Sequence, residues 1–153
     1  MPIACTGAII VRIDFTDTIG LRIACTDIRM CIVCTGTIRA CIACTGTIRL
    51  RIAGTAIIRL RIACTSTIRV RIACTGTLGC VLFVQVSLGC VLLVQVSLGV
   101  YCLYRYIRVC TVCTGIIRAC IACTGTIRAC IACTGIISLR IDCTGIIRVR
   151  IYD

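Results

Sequence analysis

Lysine, glutamate, asparagine, histidine and tryptophan are missing from this 153-residue chain, and proline occurs once, at Pro2. Each absence excludes something. Without histidine there is no side chain that ordinarily titrates near neutrality, and so no ordinary general acid–base catalyst. Without lysine and glutamate the chain lacks the residues that supply much of the charge on a soluble globular surface. Acid is scarce as well: Asp14, Asp17, Asp27, Asp142 and Asp153 are all there is. They form no useful carboxylate pair, and no phosphate-binding loop occurs. The expectation is a non-enzymatic chain in which no catalytic, cofactor-binding or metal-ligating residue is assigned and no cofactor is implied.

What remains is a narrow alphabet. Hydrophobic residues make up 60% of the chain, against an ordinary ~45–50%. All 17 basic residues are arginine and the net charge is +12, so a folded form should attract polyanions or anionic membranes non-specifically. Cysteine accounts for 18 residues, a density that marks a disulfide scaffold in short secreted chains. The first residues, MPIACTGAIIVRIDF, carry no charge before the apolar stretch, and Arg12 soon interrupts it. That is a poor signal peptide, so compartment and redox state stay unassigned.

The chain is a tandem array. The phrase Cys-Thr-Gly and its variants recur at Cys5, Phe15, Cys25, Cys34, Cys44, Gly54, Cys64 and Cys74, then at Cys113, Cys123, Cys133 and Cys143. Steps are ten residues, except nine from Cys25 to Cys34 and 39 from Cys74 to Cys113. Three regions follow: a repeat array over 1–77, an apolar stretch over 78–106 with the same beat in different words, and a second array over 107–153.

The genetic code accounts for the apolar stretch. One allowed spelling of Arg69–Thr77 is CGG GTG CGT ATT GCC TGT ACA GGT ACN. Read one base later, it encodes Gly-Cys-Val-Leu-Pro-Val-Gln-Val. The chain has Gly79-Cys80-Val81-Leu82-Phe83-Val84-Gln85-Val86, a match at seven of eight positions. Gly89–Val96 matches equally well. Read two bases later, the DNA encodes Gly-Ala-Tyr-Cys-Leu-Tyr-Arg-Tyr, and Gly99–Tyr106 again agrees at seven of eight. Three one-base losses shift the frame twice, restore it and remove one codon, which is why the long step is 39 and not 40. We therefore read the chain as the translation of a 30-base DNA repeat that carries no stop in the frames sampled. A spurious open reading frame is the limiting case. No specific biochemical function is readable.

Local pattern still predicts a fold. In Ile48-Arg49-Leu50-Arg51-Ile52-Ala53 apolar and polar residues alternate, placing Ile48, Leu50 and Ile52 on one face and the arginines on the other. β-Branched Ile, Val and Thr favour strands, and Thr-Gly supplies a turn in each unit. The expectation is an all-β chain of ten-residue strand–turn units. They form either a β-solenoid with two units per coil and Ile inside, or an antiparallel meander. Stacked identical rungs would set like arginines ~4.8 Å apart, which is unfavourable without anions. Segments such as CIACTGTI fit the signature of self-association. An alternative for the middle is one hydrophobic helix over 78–104 that spans a membrane: no charge lies between Ile72 and Tyr104. Tyr101, Tyr104 and Tyr106 would then form its interfacial belt.

Two further patterns suggest chemistry. Cys-x-x-Cys occurs at Cys31/Cys34, Cys41/Cys44, Cys110/Cys113, Cys120/Cys123 and Cys130/Cys133. In a strand those positions face opposite ways and cannot chelate one zinc ion. Cysteines from successive rungs could form disulfides where geometry allows. Thr-x-Thr recurs at Thr16/Thr18, Thr35/Thr37, Thr45/Thr47, Thr65/Thr67, Thr75/Thr77 and Thr124/Thr126. With the cysteines, it resembles the Cys- and Thr-rich repeats of insect antifreeze solenoids, which implies ice binding. The pattern departs from that family by wrapping Thr-x-Thr around a glycine turn, and by Ile116, Ile136 and Ile146.

The repeat origin makes a direct prediction. In the nucleotide sequence, the codons under Gly79–Tyr106 will align with those under Arg69–Thr77 after sliding by one and then two bases. Sequencing the gene checks this, and unrelated codons would refute it.

Overall fold

Alternation at period two makes the chain extended, and the ten-residue phrase ends each extended run at a corner. The computed structural model describes residues 2–84, 87–95 and 97–152. Met1, Gln85, Val86, Val96 and Asp153 lie outside the described residues, as do the side chains of Cys102, Leu103 and Tyr104. The strands are β1 (Pro2–Ala4), β2 (Ala8–Phe15), β3 (Ile19–Cys25), β4 (Asp27–Cys34), β5 (Thr37–Cys44), β6 (Ile48–Gly54) and β7 (Ile57–Cys64). There follow β8 (Thr67–Cys74), β9 (Thr77–Val84), β10 (Ser87–Val94), β11 (Ser97–Cys113), β12 (Ile116–Cys133), β13 (Ile137–Cys143) and β14 (Ile147–Tyr152).

The strand pairings are parallel, and each strand pairs with the strand two units away. The odd-numbered strands β1 to β9 thus stack on one side and the even-numbered β2 to β10 on the other. Strands β11 and β12 continue through the corner and contribute a half to each side. The chain is a β-solenoid with two units per coil, and the antiparallel meander is not formed. A hairpin at a two-residue corner such as Thr35–Gly36 would set Ile32 opposite Arg39 on one face, so the corner does not fold the strand back beside its predecessor. It sends the chain to the opposite sheet, and the next corner returns it above its starting point.

The membrane-spanning helix over 78–104 is likewise not formed. Residues 77–84 and 87–94 are strands β9 and β10, and β11 begins at Ser97. Among the described residues no helix is long and apolar enough to cross a membrane. Gly79, Gly89 and Gly99 would each cost a helix about 1 kcal/mol relative to alanine. The period of ten meanwhile keeps Leu78 and Leu88 in register with Ile58 and Ile68, and Leu98 with Leu78 and Ile117.

Most residues are in register with the residue 20 positions on, as Ile48 with Ile68 and Ile38 with Ile58. Two places are one residue short. Between β3 and β4 the corner is Thr26 alone, and Ile19 pairs with Ile38, 19 positions on. Around Arg105 the register of β11 on β12 shifts, with Tyr104 opposite Cys123 but Tyr106 opposite Thr126. Both deletions therefore fall in corners. Within a strand, one missing residue would turn every following side chain to the wrong face.

The core is a set of stacked columns. Ile28, Ile48, Ile68, Leu88, Ile107 and Ile127 form one, and Ile38, Ile58, Leu78, Leu98 and Ile117 face it from the other sheet; all are buried. Between the outer columns runs a middle column of mixed size, such as Ala40, Leu60, Cys80 and Val100. The corners are tight: a Cβ on Gly135 would run into the Gly115 carbonyl of the preceding coil, and one on Gly145 into that of Gly125. At the two ends, residues such as Ile9, Ile13, Ile137 and Leu139 are only partly buried, because each end rung has a neighbour on one side only.

Thr111 interrupts one core column. It is 4% exposed and lies between Leu92 and Ile131 in register. Thr111→Ile should stabilise the fold by about 1–2 kcal/mol, through added apolar burial and removal of a buried hydroxyl. Urea unfolding followed by circular dichroism measures it; equal or lower stability would show that the site cannot accept the extra methylene.

Candidate functional site

Outward side chains repeat in register like the inward ones. On the even side one column runs Arg29, Arg49, Arg69, Gly89, Arg108, Arg128 and Arg148. A second, two residues further along each strand, runs Arg12, Cys31, Arg51, Arg71, Val91, Cys110, Cys130 and Arg150. The odd side carries Arg39, Arg59, Gly79, Gly99, Arg118 and Ser138, beside Arg22, Cys41, Arg61, Val81, Tyr101, Cys120 and Arg140. Rungs repeat at ~4.8 Å and alternate residues along a strand at ~6.7 Å. Guanidinium groups therefore project from a grid of that mesh. Its densest patch is Arg29, Arg49, Arg51, Arg69 and Arg71, all exposed. Like charges opposed across a ladder destabilise it, and Cys31 and Cys41 break the second column where arginine would otherwise continue.

The frame-shifted stretch leaves a neutral band between two cationic regions. Gly79, Gly89 and Gly99 occupy arginine positions, and Val81, Val91 and Tyr101 occupy those of the second column. Phe83 and Tyr101 are 52% and 59% exposed on the odd side. Arg108 is held at the edge of the band. Its Nε donates to the Tyr106 hydroxyl at 2.9 Å, and its guanidinium lies 5.5 Å from the Tyr106 ring centroid.

Each Cys-x-x-Cys is split between the two faces. Cys31, Cys41, Cys110 and Cys130 are exposed and Cys120 is half-buried, while Cys34, Cys44, Cys113, Cys123 and Cys133 are buried. None of these ten cysteines is joined in a disulfide. Among the described residues no three His, Cys, Asp or Glu side chains gather as a metal site.

The inward cysteines occupy the corners. Cys64 Sγ donates to the Gly46 carbonyl at 3.0 Å, and Cys74 Sγ to the Ala56 carbonyl at 2.9 Å, each in the preceding coil. The same sulfurs accept from Ser66 N–H at 3.4 Å and Gly76 N–H at 3.2 Å. This two-way use shows how a small apolar side chain suits the corner. Burial raises the thiol pKa of Cys34, Cys44, Cys113 and Cys123. Cys25 is pushed up to about 11, by burial first and then by Cys5 beside it.

The Thr-x-Thr pairs do not form a flat array on a strand face. The first threonine is exposed at the corner and the second begins the next strand, as with Thr35 and Thr37 or Thr65 and Thr67. The hydroxyls serve the corners: Thr65 Oγ1 donates to the Thr45 carbonyl at 2.8 Å, and Thr114 Oγ1 to that of Gln95 at 2.6 Å. Ser87 and Ser97 donate to the hydroxyls of Thr67 and Thr77 at 3.2 and 3.3 Å.

The doubled period also creates a pairing that the ten-residue phrase conceals. Cys110 and Cys130 are register partners on the even side. Combining the repeat phase with a coil of two units would have found them; counting Cys-x-x-Cys does not.

The corner thiols yield a pH prediction. At pH 8 alkylation should be fast at Cys31, Cys41, Cys110 and Cys130 and slow at Cys25, and the Cys25 rate should keep rising towards pH 11. Because the folded pKa of Cys25 is raised from 9.0 to about 11, its contribution to stability is intact below pH 9 and is lost as pH rises through that window. Mass-spectrometric rates across pH 7–11 check this, and equal rates at all sites would contradict it. No protein family, no curated protein and no solved structure matches this chain.

Proposed function

We propose that the solenoid is a non-enzymatic binding module for flexible linear polyanions. The observation that carries this reading is the in-register arginine array on the even side, Arg29–Arg49–Arg69 beside Arg51–Arg71. With 17 arginines and five aspartates in the chain, at most a minority of these charges can be neutralised internally. The Asp27 carboxylate already accepts from Thr47 N–H at 2.6 Å. An anionic chain laid across the grid relieves repulsion between successive rungs and gains bidentate contacts that arginine, unlike lysine, offers to phosphate or sulfate. Flexibility in the partner matters because the mesh is set by the protein backbone. An anionic membrane surface is the rival partner for the same array.

The test is binding of the purified chain to fluorescent oligo-dT and to inorganic polyphosphate at several salt concentrations. For a single-stranded ligand the log–log salt slope should be about −0.7 per phosphate contacted. The quadruple variant Arg49→Ser, Arg51→Ser, Arg69→Ser, Arg71→Ser should flatten it by roughly 3. An unchanged slope would sink the proposal; binding only to anionic vesicles would favour the membrane alternative.

A further inference from the structure

We propose that Cys110 and Cys130 form a two-thiolate site for a soft monovalent cation of the Cu(I) class. They are adjacent in register on parallel strands β11 and β12, and both are exposed. Among the described outward cysteines of the two strand faces, only these two are register partners. Cys31 lies between Arg12 and Arg51, Cys41 between Arg22 and Arg61, and Cys120 between Tyr101 and Arg140.

Spacing decides which chemistry the pair supports. In-register side chains on parallel strands leave in the same direction, so equivalent atoms are separated by the rung repeat of ~4.8 Å. A disulfide needs its Cβ atoms ~3.8 Å apart, which would pull the two strands together by about 1 Å. With the zinc–thiolate distance of ~2.3 Å as the scale, a linear S–metal–S bridge spans about 4.6 Å at most, within a few tenths of an ångström of the rung repeat. Linear two-coordination by thiolates is the preference of a closed-shell soft cation such as Cu(I), and thiolate ligands select that ion. The neighbours on either side in the column, Val91 and Arg150, offer no third donor.

Charge fits too. Two thiols release two protons as one Cu(I) binds, leaving a complex of net charge −1. Arg108 and Arg128 lie two residues before the cysteines on the same face, and Arg150 is the next rung beyond Cys130. These three cations compensate the anionic complex, and Arg108 is already held by Tyr106. The register-paired corner cysteines, such as Cys113 and Cys133, are buried, so the entering ion would have to disrupt the core to reach them.

The test uses the reduced full-length chain, with Cu(I) added anaerobically as its acetonitrile complex, and maps alkylation residue by residue with and without the ion. Cys110 and Cys130 should be protected together at one equivalent, while Cys31, Cys41 and Cys120 stay reactive. Cys110→Ser and Cys130→Ser should each expose the remaining thiol and weaken binding by more than the ~10–100-fold that losing an outer-shell partner costs. X-ray absorption should report a two-sulfur shell. Equal protection of all outward cysteines, or protection that survives either substitution, would overturn the assignment. The wild-type pattern is decisive even where a variant fails to fold.

Discussion

Every feature of this chain depends on one constraint: the backbone ladder that lays each residue over its equivalent one coil away. Parallel pairing between coils satisfies the peptide groups and fixes the rung repeat at ~4.8 Å. Once the ladder forms, like stacks on like. For isoleucine this is favourable, since identical branched side chains nest in a column and exclude water. For arginine it is unfavourable, since cations repeat at the same short interval. For cysteine the outcome depends on the face, with corner thiols bonded to the coil below and outward thiols left to whatever lies beside them.

The frame-shifted stretch separates what the ladder demands from what it tolerates. Inward positions remain apolar through the change of words, with Leu78, Cys80, Leu82 and Val84 all buried. Outward positions lose their charge, with glycine or valine standing where arginine stood. The sheet continues because its core sees little difference between isoleucine and leucine columns. The surface changes completely, from a cationic grid to a neutral band carrying Phe83 and Tyr101. The exterior is thus redecorated on a solenoid whose interior barely changes.

The two missing residues tell the same story. Thr26 and Arg105 stand alone in corners that elsewhere hold two or three residues. Corners can absorb a deletion because their only duty is to redirect the chain and keep N–H and C=O groups paired with the coil below. Thr26 Oγ1 does this by donating to the Gly7 carbonyl at 3.0 Å. A deletion in a strand has no such refuge.

The sequence alone determined the period, the strand–turn unit, the inward isoleucines, the outward arginines and the splitting of Cys-x-x-Cys between faces. All of these follow from alternation within one short phrase, and alternation is local. It left open whether consecutive units pair with each other or with the unit after next, and an apolar run without charge looked equally ready to become a helix. Only the tertiary structure decided those points, because they turn on which distant segments share a ladder. That choice also made Cys110 and Cys130 neighbours and aligned Arg49 with Arg69. Register between coils is a property of the stacked assembly, and no single ten-residue unit contains it.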